Sequence, residues 1–349
     1  MKTVLVTGGA GFIGSNFIHL MLQKHPDYKI INIDALTYAG NLENLKSIED
    51  NSSYRFFKVD IRERYMVEEI FSFFDIDYVV NFAAESHVDR SIVEPDVFTT
   101  TNVIGTQVLL DAAKSHWNLS PDDKYSRDYK KCVRFHQVST DEVYGTLGKR
   151  GKFTEKKQLL PNSPYSASKA SADLIVRAYN KTYGLPVTIS RCSNNYGPYQ
   201  YPEKLIPLMI LQCMTDNPMP VYGDGKQIRD WLHVSDHCEA IDLILHSGED
   251  GEVYNIGGNN EMTNIELVKL IIKTLGKSED LISYVKDRPG HDRRYAIDST
   301  KLQTKLGWTP KYTFEQGIEE SINWYLNNTE WIRHVVSKYH MKYYGEMYE

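Results

Sequence analysis

The sequence predicts an α/β fold, a doubly wound parallel sheet followed by a smaller C-terminal α/β lobe. Three observations carry that prediction. Short β-rich runs alternate with helical patterns through the first half, and such βαβ units build parallel sheets with helices on both faces. Runs such as VLV, IINI and YVVNF are apolar without alternation, as strands buried on both faces require. From about Gly197 the texture changes to dense Gly/Pro signals, as in NNYGPYQYPEK, DNPMPVYGDGKQ and NIGGNNE. Loops of this kind often carry ligand contacts.

Strands are expected at 3–7, 29–34, 55–58, 78–82, 134–139 and 187–191. Helices should follow Gly11, Arg62, Thr99 and Ser163, and later ones span 263–275 and 314–327. The polar stretch 116–131 reads as a surface loop. We expect residues 1–196 to form the first domain and residues 197–349 mainly the second lobe. No flexible linker separates them, so some chain crossing and a cleft between the lobes are expected. The 349 residues suffice for this organisation.

Composition narrows the function. Hydrophobic residues make up 41% and charged residues 25%, ordinary values for a globular protein. A formal net charge of −6 argues against a nucleic-acid partner. The N-terminus runs straight into a strand pattern, and no apolar stretch approaches membrane-spanning length, so the expectation is a cytoplasmic protein without a membrane partner. The four cysteines (Cys132, Cys192, Cys213 and Cys238) show no paired spacing, and the eleven histidines form no ligand motif. No metal site is expected.

Gly8, Gly11 and Gly14 follow the first strand and open the first helix. Glycines at this spacing let the backbone approach a pyrophosphate at a helix N-terminus. Asp34 ends the second strand about twenty residues beyond Gly14, where a carboxylate holds ribose hydroxyls and repels a 2′-phosphate. The pattern is Rossmann-type and favours NAD over NADP. Asp60 and Ile61 follow the third strand, beside the expected adenine. Phe82, Ala83 and Ala84 follow the fourth, and its small residues let a cofactor lie close to the sheet.

Tyr165 and Lys169 are one helical turn apart and share a face. The ammonium is expected to lower the phenol pKa and make it a base near neutral pH. Thr140, Asp141 and Glu142 follow an apolar strand whose end should reach the cleft. Adjacent carboxylates repel, so one is expected to stay protonated beside an ionised partner. An elimination of water needs such an acid and base. Arg229 offers a fork suited to diphosphate oxygens. Tyr222 suits either a nucleotide base or a core.

Together these motifs resemble the extended short-chain dehydrogenase/reductase family, in its nucleotide-sugar branch. The resemblance runs from Met1 to about Leu326. It rests on TGGAGFIGSNF, DALTYAGN, NFAAESHVDRS, STDEVYG, PYSASKASAD, RCSNNYGPYQYPEKLIP, DGKQIRDWLHVSDH, YNIGG and DRPGHDRRYAID. STDEVYG and DRPGHDRRY are the parts most specific to dehydratases. The resemblance implies an NAD-dependent 4,6-dehydration of dTDP-glucose. In it Tyr165 takes the 4-hydroxyl proton, Glu142 the C5 proton, Asp141 protonates the leaving C6 hydroxyl, and Thr140 holds the 4-hydroxyl.

It also implies further NAD contacts from Phe12, Ile13, Ala35, Leu36, Thr37, Glu85, Ser86, Thr101 and Asn195. Implied sugar-nucleotide contacts are Ser86, Asn194, Lys204, Leu205, Pro220, Tyr222, Arg229, Asn264 and the loop Asp287, Arg288, Pro289, Gly290, His291. A homodimer through helices near 103–115 and 165–181 is implied as well. Three alternatives stay open on the same scaffold: a UDP-sugar 4-epimerase, a 4,6-dehydratase for another nucleotide, and a UDP-hexuronate decarboxylase. A catalytically silent NAD-binding regulator would have no reason to keep Tyr165, Lys169, Asp141 and Glu142 together. Residues 328–349, rich in Tyr and His, carry no functional signal.

Overall fold

The computed structural model describes residues 2–287 and 291–335; Arg288, Pro289 and Gly290 lie outside the described residues. Twelve strands are present among them: β1 (Thr3–Thr7), β2 (Lys29–Asp34), β3 (Tyr54–Lys58), β4 (Tyr78–Asn81), β5 (Arg134–Thr140), β6 (Val187–Cys192), β7 (Asn194–Tyr196), β8 (Met219–Tyr222), β9 (Ile228–His233), β10 (Val253–Ile256), β11 (Glu261–Thr263) and β12 (Ile282–Val285). The six strands expected from sequence are all there, with ends shifted by a residue at most.

The large sheet has the order β10-β6-β5-β4-β1-β2-β3, and every neighbouring pair is parallel. Its apolar strands have two dry faces. Val4 and Val6 pack with Phe17 and Ile241 on one side, while Leu5 packs with Val67, Leu109 and Val176 on the other. That is why the strand carries no polar alternation. Strand order reverses at β1, between β2 and β4, and ligands of open α/β sheets bind outside the strand ends at such a point.

A second core, including Met209, Trp231, Leu267, Ile271 and Phe314, underlies the smaller lobe. Its sheets are β11-β9-β7 and β12-β8. The chain crosses repeatedly between the two bodies. β7 lies before residue 197 yet pairs with β9 in the small sheet. β10 lies well after it and returns to the large sheet beside β6, and the helix Val234–Ser247 also packs on the helix Phe12–Lys24. A single cut between 196 and 197 therefore does not separate the two bodies.

Among the described residues no helix is long and apolar enough to cross a membrane.

Candidate active site

The helix Pro164–Tyr183 is defined at both ends by its sequence. Ser163 caps it, exchanging hydrogen bonds with Ser166, Pro164 occupies the first turn, and Gly184 leaves it in the left-handed conformation. These signals fix where the turns fall, and they put Tyr165 and Lys169 on the buried face toward β5. Asp141 and Glu142 sit in the tight turn Asp141–Tyr144 directly after β5. Thr140 caps that turn by accepting a hydrogen bond from the Glu142 N–H (3.2 Å). Gly145 ends it at φ 80°, and a Cβ there would lie 2.3 Å from the Leu160 carbonyl oxygen. Only glycine lets the turn close.

A cleft of about 320 Å³ opens at the switch point. Of the residues expected to bind cofactor, Gly8, Gly11, Phe12, Ile13, Gly14, Asp34, Ala35, Thr37, Asp60, Ile61, Phe82, Ala83, Ala84, Glu85, Ser86, Thr101 and Asn195 line it, together with Thr140, Glu142, Tyr165, Lys169, Asn194 and Lys204. Leu36 does not line it. Its backbone has φ 53°, and its N–H donates to the Asp34 carboxylate (2.8 Å). Asp34 also accepts from the Ala10 N–H (3.0 Å). Burial pushes the Asp34 carboxyl up, and these two N–H donors oppose that shift.

The glycine loop fits a dinucleotide. A side chain at Gly14 would meet the Gly8 carbonyl oxygen at 2.4 Å, so the helix starts hard against the loop. No side chain caps that helix, and its first residues line the cleft. Ser139 and Ser193, also on the wall, each hold a buried hydroxyl with no partner among the described residues.

The catalytic candidates converge, with one surprise in charge. Tyr165 hydrogen-bonds Thr140, and Phe98 packs edge-on against its ring at 6.3 Å. The phenol is pushed well up rather than down: burial dominates, Glu142 and Cys192 add to it, and Thr140 only partly offsets it. The expectation that Lys169 lowers it is therefore corrected. The Lys169 ammonium is itself buried and shifted down by that burial, and it donates to the Val138 carbonyl (2.7 Å).

Asp141 does not line the cleft. It is buried, and its carboxyl is held well above the ordinary range, by burial first and then by Glu142 and Asp230, against the pull of Arg229. Its Oδ2 has no hydrogen-bond partner among the described residues. The Asp141 carboxyl is thus pushed toward its protonated form, next to Glu142 on the cleft wall.

The remaining expected contacts form a second group. Arg229 is buried against the Tyr295 ring (4.3 Å) and donates to the carbonyls of Ile228 and Asp292. His291 pairs with Asp287 (2.6 Å), stands edge-on to Tyr222 at 6.2 Å, and Asp287 accepts from Gln227 (3.0 Å). Pro220 lies with Tyr222 on β8. Asn264 opens the helix Asn264–Thr274, and its buried Oδ1 has no hydrogen-bond partner among the described residues. Leu205 starts the helix Leu205–Met214 against the second core, and Lys204 just before it donates to the Ser86 carbonyl (3.1 Å).

Sequence reasoning missed several participants. Arg62, Gln200, Tyr201, Glu203 and Cys192 also line the cleft. Arg191 bonds Asp173 (2.8 Å) and the Tyr144 hydroxyl (2.9 Å), tying the Tyr165 helix to the Asp141 turn. Asp173 lies eight residues after Tyr165, on the same helical face, and that spacing was a usable signal.

Comparison with known proteins agrees with this geometry. Residues 5–321 match the family described as GDP-mannose 4,6 dehydratase. The chain belongs to this family. A dTDP-glucose 4,6-dehydratase of Xanthomonas campestris pv. campestris is 54% identical, over 96% of each chain. One from Neisseria meningitidis serogroup B is 49% identical over 97% of each. The crystal structure of the Bacillus anthracis dTDP-glucose 4,6-dehydratase in complex with NAD superposes with a TM-score of 0.86 at 55% identity, covering 96% of this chain and all of that one. A UDP-glucose 4-epimerase from Thermotoga maritima reaches 0.84 at 30% identity, with 94% of this chain and all of that one covered. The scaffold is thus shared across reactions, and the site must choose among them.

Proposed function

We propose that this protein is an NAD-dependent dTDP-glucose 4,6-dehydratase, yielding the 4-keto-6-deoxy sugar. The observation that carries the reading is the Asp141–Glu142 pair: one carboxyl pushed well up by burial, the other on the cleft wall with Tyr165. A 4-epimerase has no use for such a pair, and a decarboxylase has no C6 hydroxyl to protonate. The relatives named dTDP-glucose 4,6-dehydratase, and the one solved with NAD, support it.

In this reading Gly8, Gly11, Gly14 and the N-terminus of the first helix hold the pyrophosphate, and Asp34 the adenosine ribose. Bound NAD supplies the hydride acceptor for C4 and the hydride that completes C6. Tyr165, steadied by Thr140, takes the proton of the 4-hydroxyl. Lys169 orients the site from beneath. The C4 ketone acidifies C5, Glu142 removes that proton, and Asp141 protonates the departing C6 hydroxyl. Arg229, Tyr222, Asn264 and the Asp287–His291 pair serve the nucleotide.

Incubation with dTDP-, UDP-, CDP- and GDP-hexoses, followed by mass measurement, tests the reading. Loss of one water from dTDP-glucose is the expected result. No water loss from any of them, or conversion of UDP-glucose without mass change, would overturn it.

Asp34→Ala should weaken NAD binding about 10- to 100-fold, the range for a hydrogen bond to a charged group. It should also narrow the preference over NADP, because a 2′-phosphate loses a repelling neighbour. Cofactor titration of stripped protein checks both.

The same reading includes a homodimer. Ile104 and Leu174 lie on the helices expected at the interface and are 47% and 56% exposed. Large apolar side chains left in water on neighbouring helices fit a partner surface. Leu174→Glu should shift the protein to monomer in light scattering.

A further inference from the structure

We infer that Asn44 and Trp331 are positioning residues for the glycine loop, so that the far C-terminal end of the chain sets how firmly the cofactor is held. This rests on the assignment of that loop to NAD.

The connection is a chain of three short bonds. The Trp331 indole N–H donates to Asn44 Oδ1 (2.7 Å). Asn44 Nδ2 donates to the Ala10 carbonyl (2.9 Å), which also accepts from the Asn41 N–H (2.9 Å). On its other side Ala10 donates its N–H to Asp34 (3.0 Å). Both peptide groups of Ala10, the residue between Gly9 and Gly11, are therefore held by side chains or backbone from outside the loop. A glycine-rich loop has the largest backbone freedom to lose, so fixing it in advance removes that loss from cofactor binding.

Asn44 is suited to the task and to little else. It is buried, and both halves of its amide are engaged, one toward the loop and one toward Trp331. Its own carbonyl faces His19 Nε2 (2.8 Å) on the helix that the loop starts. Trp331 is buried too, and stands against Tyr199 (6.2 Å), Trp324 (5.0 Å) and Tyr325 (6.2 Å). These rings explain its packing. They do not explain why its N–H is spent on the Asn44 amide, which holds the Ala10 carbonyl of the glycine loop. Buried polar bonds of this kind are costly to break singly and specify one arrangement.

The test uses purified holoenzyme and three substitutions: Trp331→Phe, Asn44→Ala and, as comparison, Trp324→Phe. The measurements are NAD dissociation rate, turnover at low and saturating NAD, and melting temperature. Trp331→Phe keeps an aromatic ring, though a smaller one, and removes the N–H. It should speed NAD loss about 3- to 10-fold, the range for one neutral hydrogen bond. Asn44→Ala, which removes the link to the loop itself, should speed it more. Saturating NAD should restore turnover in both. The double variant should lose less than the sum of the two, because both act through one chain of bonds. Trp324→Phe, which alters the same aromatic cluster without touching Asn44, should leave NAD retention unchanged.

Unaltered retention in both Trp331→Phe and Asn44→Ala would overturn the inference. So would losses of melting temperature and turnover that saturating NAD does not repair, or equal NAD loss in Trp324→Phe, since each would mark a role in fold stability alone. If the unaltered protein neither carries nor binds NAD, it is the cofactor assignment that fails instead.

Discussion

Glu142→Gln and Asp141→Asn are each expected to lower product formation by about 10²–10⁴-fold while leaving C4 oxidation measurable. Oxidation draws on Tyr165, Lys169 and the cofactor, so an amide at either position leaves it intact. Elimination draws on both carboxyls, in different ways. Glutamine is no base, so Glu142→Gln should suppress exchange of the C5 proton with solvent. Asp141→Asn should keep that exchange, because Glu142 remains, yet fail to protonate the leaving hydroxyl. Any residual product from substrate deuterated at C4 should carry the label at C6. The measurement is C5 exchange alongside product formation. Wild-type exchange in Glu142→Gln would remove Glu142 from its role, and normal turnover in both variants would end the mechanism.

A pH dependence follows from the burial of Asp141. Its carboxyl is raised well above the ordinary range, by burial first, so it keeps its proton to higher pH than an ordinary aspartate and loses it as pH rises through the raised value. Elimination should therefore fail on the alkaline side, and the Asp141→Asn variant should lack that limb.

Tyr165→Phe is expected to cost about 10²–10⁴-fold in C4 oxidation, with NAD still bound. The phenyl ring keeps the contact with Phe98 and loses only the hydroxyl that bonds Thr140. Burial makes this phenol reluctant to ionise, and only the phenolate can take the 4-hydroxyl proton, so the phenol must give up its own proton before the step. Stopped-flow absorbance of the reduced cofactor reads the step directly. An unchanged rate would mean that another group takes the proton.

Much of this was legible in the sequence because it depends on short spacings. A parallel strand buried on both faces carries apolar residues at successive positions, as Val4–Leu5–Val6 of β1, Ile30–Ile31 of β2 and Val79–Val80 of β4 do. Gly8, Gly11 and Gly14 followed by Asp34 mark a phosphate turn whose residues are close in the chain. Tyr165 and Lys169 share a face by helical geometry alone, and Ser163 and Gly184 announce where that helix begins and ends. Asp141 beside Glu142 announces a conflict of charge wherever the strand leads.

The tertiary structure decided what distant elements impose. The return of β10 to the large sheet is settled by an edge of β6 more than sixty residues earlier, which no local pattern encodes. The upward push on the Asp141 carboxyl comes from burial first, with Glu142 and Asp230 adding to it and Arg229 opposing, while Glu142 lies on the cleft wall. The Tyr165 phenol moves opposite to the local expectation because desolvation by everything packed around it outweighs one neighbouring ammonium. The bond from Trp331 to Asn44 joins residues 287 apart. Spacing along the chain fixes which groups can share a turn or a face, while burial and long-range pairing, which set their charge and rigidity, exist only once the chain has packed.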